Sequence, residues 1–223
     1  MFFLLFSTFL PIMPRNGHGL KFLIFAMVLC MCNAANITCP KCGQRVVPYP
    51  LSTDDTCGNP KYRIFCNNNQ LEFKSVEGVA YPIVSIDSSA FCLVIRPPPF
   101  SKGVATCRSS DFPAGGLHLD ENSPFNISKR NTVMLFNCSE ALLLSPLNCS
   151  SNSLCHQFAR DKKEAGPCQY KICCTYLKDS AMTSHKIRLQ EGGCSAYTSV
   201  VDINSTLPTN NWNLGVEIQW IPV

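Results

Sequence analysis

Hydrophobic and polar residues alternate in short runs along most of the chain, and the runs are rich in β-branched and aromatic side chains. Turn-forming residues separate them, as in TDDTCGNP (53–60) and PAGG (113–116). Successive side chains of a strand point to opposite faces of a sheet, so this pattern predicts an all-β, loop-rich fold class with a small α content. The predicted strands are YRIFC (62–66), LEFK (71–74), YPIVSI (81–86), FCLVI (91–95), TVMLF (132–136), YKICCTYL (170–177), HKIRL (185–189), YTSVV (197–201) and VEIQW (216–220).

One segment has helical periodicity instead. The residues around 154–163 are amphipathic over about two turns, which predicts a single short helix. The Pro- and Gly-rich stretch 97–124 contains the best candidate boundary. We therefore divide the chain, after a leader, into two cysteine-rich halves, 36–110 and 124–223, joined by a linker at 111–123.

The N-terminus has the pattern of a secretory signal peptide. An apolar run of 11 residues at 22–32 follows Arg15 and Lys21, and small residues come after it. A basic flank, a short apolar stretch and a small-residue cleavage site define such a leader, and the run is too short to span a membrane. We predict that residues 1–35 are removed, that 1–12 are a candidate gene-model extension, and that the mature chain contains no membrane span.

The cysteine content indicates an oxidising compartment, because a reducing one would leave many thiols exposed to oxidation. Removing Cys30 and Cys32 with the leader leaves 13 of the 15 cysteines, and this odd number implies a free thiol, an intermolecular bond or a missing partner. The C-x2-C spacing at 39–42 also suits zinc, but no second pair follows, so we favour disulfides and expect no metal site. The adjacent Cys173 and Cys174 should bond to different partners. The disulfide candidates, whose pairing the sequence leaves open, are Cys39, Cys42, Cys57, Cys66, Cys92, Cys107, Cys138, Cys149, Cys155, Cys168, Cys173, Cys174 and Cys194.

Five N-x-S/T sequons are candidates for N-glycosylation, which places a bulky group on the surface of a secreted protein. Two of them directly precede cysteines, and we expect nearby packing to hinder modification at those two, Asn137 and Asn148. The full set of N-glycosylation candidates is Asn36, Asn126, Asn137, Asn148 and Asn204.

Charge and motif content argue against two classes of function. The net charge of +4 falls to +2 once Arg15 and Lys21 are removed, so bulk charge does not indicate nucleic-acid binding. The histidines outside the leader, His118, His156 and His185, belong to no zinc-protease motif, and no nucleophile elbow, P-loop or kinase signature occurs. We therefore predict a protein that is not an enzyme.

Two groups of motifs resemble one known family. The segment CPKCGQRVVPYPLSTDDTCGNPKYRIFCNNNQLEF (39–73) closely resembles the galacturonan-binding domain of plant wall-associated receptor kinases. The cysteine-rich half of the ectodomain in wall-associated receptor kinase-like proteins is similar to a second group of motifs: FNCS (136–139), SPLNCSSNSLC (145–155), ICC (172–174), GGCSAY (192–197) and GVEIQW (215–220).

The resemblance implies a galacturonan-binding domain at 36–110 and a non-catalytic, extracellular function at the plant cell wall. The implied partner is an acidic polysaccharide, homogalacturonan or oligogalacturonides, with no cofactor and with calcium only as carried by the pectate ligand. In this family a further cysteine typically follows the QW strand, and its absence here would account for the odd count. The transmembrane helix and kinase of the family are also absent, so a membrane-attached location is expected only if the chain is a fragment of a full-length receptor.

The first half supplies candidate residues for binding a polyanion. Positions 39–110 carry eight cations and five acids. Lys61 and Arg63 are two residues apart, so on the predicted strand they would share a face about 7 Å apart. An arginine fork can hold a carboxylate through two parallel hydrogen bonds. The ligand-binding candidates are Arg45, Lys61, Arg63, Lys74 and Arg96.

Aromatic and core positions follow from the same predicted strands. If Lys61 and Arg63 face solvent, alternation directs the intervening and flanking side chains toward the core, which predicts burial of Tyr62, Ile64 and Cys66. Tyr49 and Tyr81 are candidates for stacking on sugar rings.

Two other functions are compatible with the sequence. The alternative is a truncated receptor ectodomain that acts as a protein-interaction module, pairing with receptor kinases and having little affinity for glycans. A weaker alternative is a secreted enzyme or enzyme inhibitor. Glycan binding that falls with salt distinguishes the first function from the second, and turnover of polygalacturonate would favour the third.

Overall fold

Antiparallel strands account for most of the regular structure. A computed structural model describes residues 38–100, 106–140, 147–176, 184–187, 189 and 193–223, so the predicted signal peptide and Asn36 lie outside it. The strands are β1 (Phe65–Asn67), β2 (Gln70–Lys74), β3 (Ala80–Asp87), β4 (Cys92–Ile95), β5 (Phe125–Ile127), β6 (Asn131–Phe136), β7 (Leu147–Asn148), β8 (Cys173–Tyr176), β9 (Ala196–Val201), β10 (Asn213–Leu214) and β11 (Val216–Trp220).

The strands form two sheets. A six-stranded sheet has the order β1-β2-β3-β4-β11-β5, and a five-stranded sheet has the order β10-β9-β6-β8-β7. The predicted β-rich, disulfide-rich fold class is thereby confirmed. The last strand, β11, lies between β4 of the first half and β5 of the second, and pairs antiparallel with both.

Two hydrophobic clusters create a stack of three layers. The first cluster lies between the sheets, where Leu71, Ile83 and Ile218 of the six-stranded sheet share a core with Leu135 and Tyr197. The second lies on the other face of the five-stranded sheet, because alternation turns the remaining side chains of β6 and β9 toward a helix. This cluster contains Met134, Phe136, Val200 and Phe158.

The helix α1 (Leu154–Asp161) confirms the predicted helical segment. The side chain of Ser153 accepts a hydrogen bond from the backbone N–H of His156, which satisfies one of the unpaired donors at the helix start. Cys155, Phe158 and Ala159 form its buried face, so packing on the five-stranded sheet stabilises a helix too short to persist alone.

Twelve of the thirteen candidate cysteines are paired. The adjacent Cys173 and Cys174 bond to Cys155 and Cys149, as expected for neighbours that reach different partners. Cys92 is buried and unpaired within the described part of the chain, so its place among the disulfide candidates stays a prediction and the three explanations of the odd count remain open. The other bonds are Cys39–Cys57, Cys42–Cys66, Cys107–Cys168 and Cys138–Cys194.

The predicted strand at 62–66 is only partly formed. Pro60–Tyr62 is a turn of 3-10 helix, because proline suits its first position and the Asn59 side chain accepts a hydrogen bond from the Lys61 N–H. The extended strand starts only at Phe65. Tyr62 and Ile64 are buried as predicted, but Cys66 is exposed, although it pairs with the buried Leu71 in the sheet.

Of the predicted strand at 185–189 the structure describes 185–187 and 189, and among these residues Lys186 forms an isolated bridge with His118. Three observed strands, β5, β7 and β10, were not predicted, because each has only two or three residues. The division of the chain into two halves at 111–123 stays a prediction. In the structure, residues 36–223 form one compact unit. Within the described residues, no helix has both the length and the apolar character to cross a membrane.

Candidate functional site

The six-stranded sheet has one face against the core and one face turned away from it, here called the outer face. On β2 the buried Leu71 and Phe73 alternate with Glu72 and the exposed Lys74. On β3 the buried Tyr81 and Ile83 alternate with less buried residues in the same way. The side chains of Glu72 and Lys74 therefore lie on the outer face.

Two of the five predicted cations, Lys74 and Arg96, lie on the outer face, and Arg45 binds the backbone of the same sheet. Lys74 ends β2, opposite Ala80. Arg96 follows β4 and donates its N–H to the carbonyl of Pro82 over 2.9 Å, so it continues the ladder beside the outward-facing Pro82. Arg45 comes from the preceding loop, and its Nη1 donates to the carbonyl of Val84 over 2.8 Å.

A β-bulge explains how Arg45 reaches the sheet. The register between β3 and β4 shifts between Ile83 and Ser85, which leaves Val84 without a partner in the ladder. An unpaired bulge residue keeps a carbonyl available to other donors. The guanidinium of Arg45 uses it, and Arg45 itself remains exposed.

An aromatic ring that the sequence analysis missed completes the group. Phe65 pairs with Glu72, so it lies on the outer face, and the Nζ of Lys74 is 4.1 Å from the centre of its ring. A cation over an aromatic face is attracted by the electron density of the ring. We call Arg45, Phe65, Glu72, Lys74 and Arg96 the basic surface.

The register of the β1–β2 hairpin is the signal that could have identified Phe65. Asn68 and Asn69 both have positive φ angles, 49° and 63°, and connect the paired Asn67 and Gln70. Two such residues form the tight turn that joins twisted antiparallel strands. Counting back from the turn places Phe65 opposite Glu72.

The two tyrosines predicted to stack on sugar rings do not belong to the basic surface. Tyr81 is 1% exposed and donates a hydrogen bond to Asp111, so its proposed stacking on a sugar is wrong. Tyr49 is half-buried and belongs to the loop before β1.

The predicted shared strand face of Lys61 and Arg63 is also wrong. Lys61 is the middle residue of the 3-10 turn, and Arg63 forms an isolated bridge with Ser52. The guanidinium of Arg63 is paired with the carboxylate of Asp55. Hydrogen bonds from Thr56 hold the pKa of the neighbouring Asp54 below its ordinary value, so both carboxylates of this loop offset the charge of Arg63.

The opposite corner of the outer face is acidic and is here called the acidic end. Glu217 of β11 is 2% exposed, and its carboxylate is 3.1 Å from the Nη1 of Arg130. Arg130 is also paired with Asp202. The carboxylate of Asp87, at the end of β3, interacts electrostatically with Arg130. Asp87 and Glu217 lie on the outer face, and Asp202, which follows β9 of the other sheet, is linked to them through Arg130. These four residues form the acidic end.

The unpaired Cys92 lies beside the acidic end and is not a reactive thiol. Burial and then the carboxylate of Glu217 raise the pKa of Cys92 to about 11, so the thiol stays protonated at neutral pH. No cluster of three or more potential metal ligands occurs among the described residues.

A buried carboxylate joins the sheets underneath the basic surface. Tyr81 of β3 and Tyr197 of β9 each donate a hydrogen bond of 2.8 Å to Oδ2 of Asp111. The other oxygen, Oδ1, is buried without a partner. Burial raises the pKa of Asp111, because the low-dielectric core disfavours the charged carboxylate.

The first four strands of this sheet lie in a segment that matches a known family. Residues 32–96 match the family described as wall-associated receptor kinase galacturonan-binding, a span that contains β1 to β4 and all five predicted cations. Wall-associated receptor kinase-like 20 of Arabidopsis thaliana is 43% identical over 188 residues, which cover 82% of this chain and 28% of that protein. Wall-associated receptor kinase-like 15 of the same plant is 41% identical over 191 residues, covering 82% of this chain and 30% of that protein.

The chain spans less than a third of the length of these two curated relatives. No solved structure matches it significantly. The resemblance predicted from the motifs is confirmed: the chain is related to the wall-associated receptor kinase-like proteins and carries, at residues 32–96, a segment of their galacturonan-binding family.

Proposed function

We propose that this protein is an extracellular, non-catalytic module that binds homogalacturonan or its oligomers at the plant cell wall through the basic surface. The observation that carries the proposal is that Lys74 and Arg96 share one sheet face with the Phe65 ring, while Arg45 binds the backbone of the strand between them. The match of residues 32–96 to a galacturonan-binding family supports the class of ligand.

The geometry of the basic surface suits a chain of carboxylates. Strands lie about 4.8 Å apart and residues rise about 3.3 Å along each, so Lys74 and Arg96 are separated by roughly 12 Å at their backbones. Both side chains are long, and the guanidinium of Arg45 binds β3 at Val84, two residues beyond the level of Arg96. Glu72 is the acid within the basic surface, and it reduces but does not cancel the positive charge.

The aromatic ring adds a contact that does not depend on charge. Phe65 is half-buried, with Lys74 over its face. A uronate that contacts Phe65 beside Lys74 would keep its carboxylate close to the ammonium that already covers the ring face. We therefore propose that a uronate residue binds at this pair.

Charge removal on the basic surface tests the proposal. We expect Lys74→Ala with Arg96→Ala to weaken binding of polygalacturonate by roughly 1–2 kcal/mol, or about 5- to 30-fold, since exposed charged contacts are weaker than buried ones. Lys61→Ala with Arg63→Ala is the matched control, because it removes the same charge elsewhere in the same family segment. Isothermal titration at two salt concentrations measures both, and salt should weaken the wild type most.

Two results would contradict the proposal. If the control weakens binding as much as the change on the basic surface, net charge rather than this surface determines affinity. If fully methyl-esterified pectin binds as tightly as polygalacturonate, carboxylates are not what the protein recognises.

The role of calcium is a separate prediction. We propose that calcium reaches the protein only with the pectate ligand. Binding of short oligogalacturonides, measured in a chelator and in calcium, should then be equal within about twofold. A strict requirement for calcium at every oligomer length would show instead that the protein holds the ion itself.

A further inference from the structure

A sequon lies at the corner of the outer face farthest from Lys74. Gln219 of β11 pairs with Cys92 on one side and with Asn126 of β5 on the other. The neighbours of Asn126 along β5, Phe125 and Ile127, are buried in the core, so alternation places the Asn126 side chain on the outer face.

The sequons differ in whether the atom that would carry a glycan is available. Asn126 and Asn137 are both half-buried, but Nδ2 of Asn137 donates a 2.7 Å hydrogen bond to Oγ of Ser195. No hydrogen bond within the described residues engages Nδ2 of Asn126. The exposed Asn204 is similar, because only its Oδ1 accepts bonds, from Thr206.

Distances along the sheet separate Asn126 from the basic surface. It lies two strands and four residues from Arg96, or roughly 16 Å, and four strands and six residues from Lys74, or roughly 28 Å. The acidic end lies in the same corner, since Asp87 pairs with Cys92 and Glu217 is two residues from Gln219 on the same face. A bulky group on Asn126 would thus cover the acidic end, where Arg130 is already paired with Asp202 and Glu217, rather than the basic surface.

We propose that Asn126 carries an N-linked glycan that covers the acidic end of the outer face and leaves the basic surface open. The glycan would occupy the part of the face that repels a polyuronate. The position of the glycan stands on the sheet geometry alone, whereas its effect on ligand binding rests on the proposed function.

Occupancy and coverage are measured without any ligand. The full chain is expressed in plant cells, and mass spectrometry of its glycopeptides should find Asn126 modified and Asn137 largely unmodified. Carbodiimide labelling should be several-fold greater at Asp87 and Asp202 in Asn126→Gln than in the wild type, with Glu72 as the internal control. Asn204→Gln should leave Asp87 and Glu72 unchanged, and Asp202 is not compared in this control because it is two residues from Asn204. An unmodified Asn126, or equal labelling of Asp87 and Asp202, overturns the inference.

A relocated glycan tests which half of the face must stay open. Ala80→Asn with Pro82→Thr creates a sequon on β3 beside Lys74, and its glycosylated form should lose polygalacturonate binding by about tenfold or more. Asn126→Gln should bind within about twofold of the wild type. Tighter binding by Asn126→Gln would overturn the division of the face. If no form binds polygalacturonate, the proposed function fails, while occupancy and labelling still decide the glycan.

Discussion

Ionisation of Asp111, which joins the two sheets, should make the stability of the folded protein depend on pH. Burial raises its pKa in the folded protein, so between the unfolded and folded pKa values the native state holds a proton that the unfolded state has released. Its stabilising contribution is complete below the unfolded value of about 4 and is lost as pH rises through the folded pKa. Asp111→Asn cannot ionise, so its stability should decline less than that of the wild type over this window. Urea unfolding at a series of pH values measures the difference.

The surface change Asp120→Asn is the control for Asp111. Tyr81→Phe should cost about 1–3 kcal/mol at all pH values, because it removes one of the two donors to a buried oxygen. If Asp111→Asn loses stability with pH in parallel with the wild type, the carboxyl is not the group that titrates.

The position of a side chain was predictable from the sequence where burial in the core determines it. It was not predictable where a specific hydrogen-bond partner determines it. Alternation identified Tyr62 and Ile64 as core residues. It misplaced Arg63, because the Asn59 cap and the proline of the 3-10 turn interrupt the strand before it. The place of Arg45 on β3 depends on a bulge carbonyl, which alternation of the sequence does not reveal.

Among the elements, α1 depends on its attachments to β8. The Cys155–Cys173 bond joins them, and the N–H of Cys155 donates to Oγ1 of Thr175 over 3.0 Å. We expect Cys155→Ala with Cys173→Ala to cost about 2–4 kcal/mol and to reduce the hydrogen-exchange protection of α1 more than that of β3.

Removal of the neighbouring disulfide is the control for α1. Cys149→Ala with Cys174→Ala frees the edge strand β7 from the same β8, and α1 should keep its protection. Equal loss of protection in α1 with both pairs of changes would show that the helix depends on the sheet as a whole and not on its own bond.

Elements were predictable in proportion to their length. The longer strands β3, β6 and β9 carry six to eight residues, enough for alternation to be visible. β7 and β10 contain two residues each, and they are extended because a neighbouring strand pairs with them. Disulfide pairing could not be predicted from the sequence either, because it depends on which distant segments the sheets bring together.

At the scale of the whole molecule, the two predicted halves are joined by shared elements. β11 comes from the C-terminal end and pairs with β4, while the Cys107–Cys168 bond crosses from one half to the other. The core between the sheets also mixes residues of both halves. A sequence boundary at 111–123 therefore need not be a boundary in folding.

The last prediction follows from this arrangement. A fragment of residues 36–110 retains β1 to β4 and two of the disulfides, but it loses β11, so the backbone of β4 has an unpaired edge. The inner side chains Leu93, Ile95 and Tyr81 would lose the opposing sheet and become accessible to water. Burial of such side chains contributes about 1.5–3 kcal/mol each, comparable in sum to the whole stability of a small domain. We expect the fragment to give poorly dispersed amide NMR spectra and no polygalacturonate binding, whereas residues 36–223 give dispersed spectra. A folded fragment that binds polygalacturonate as the longer chain does would show that the galacturonan-binding segment is an independent domain, with β11 packed beside it as an accessory strand.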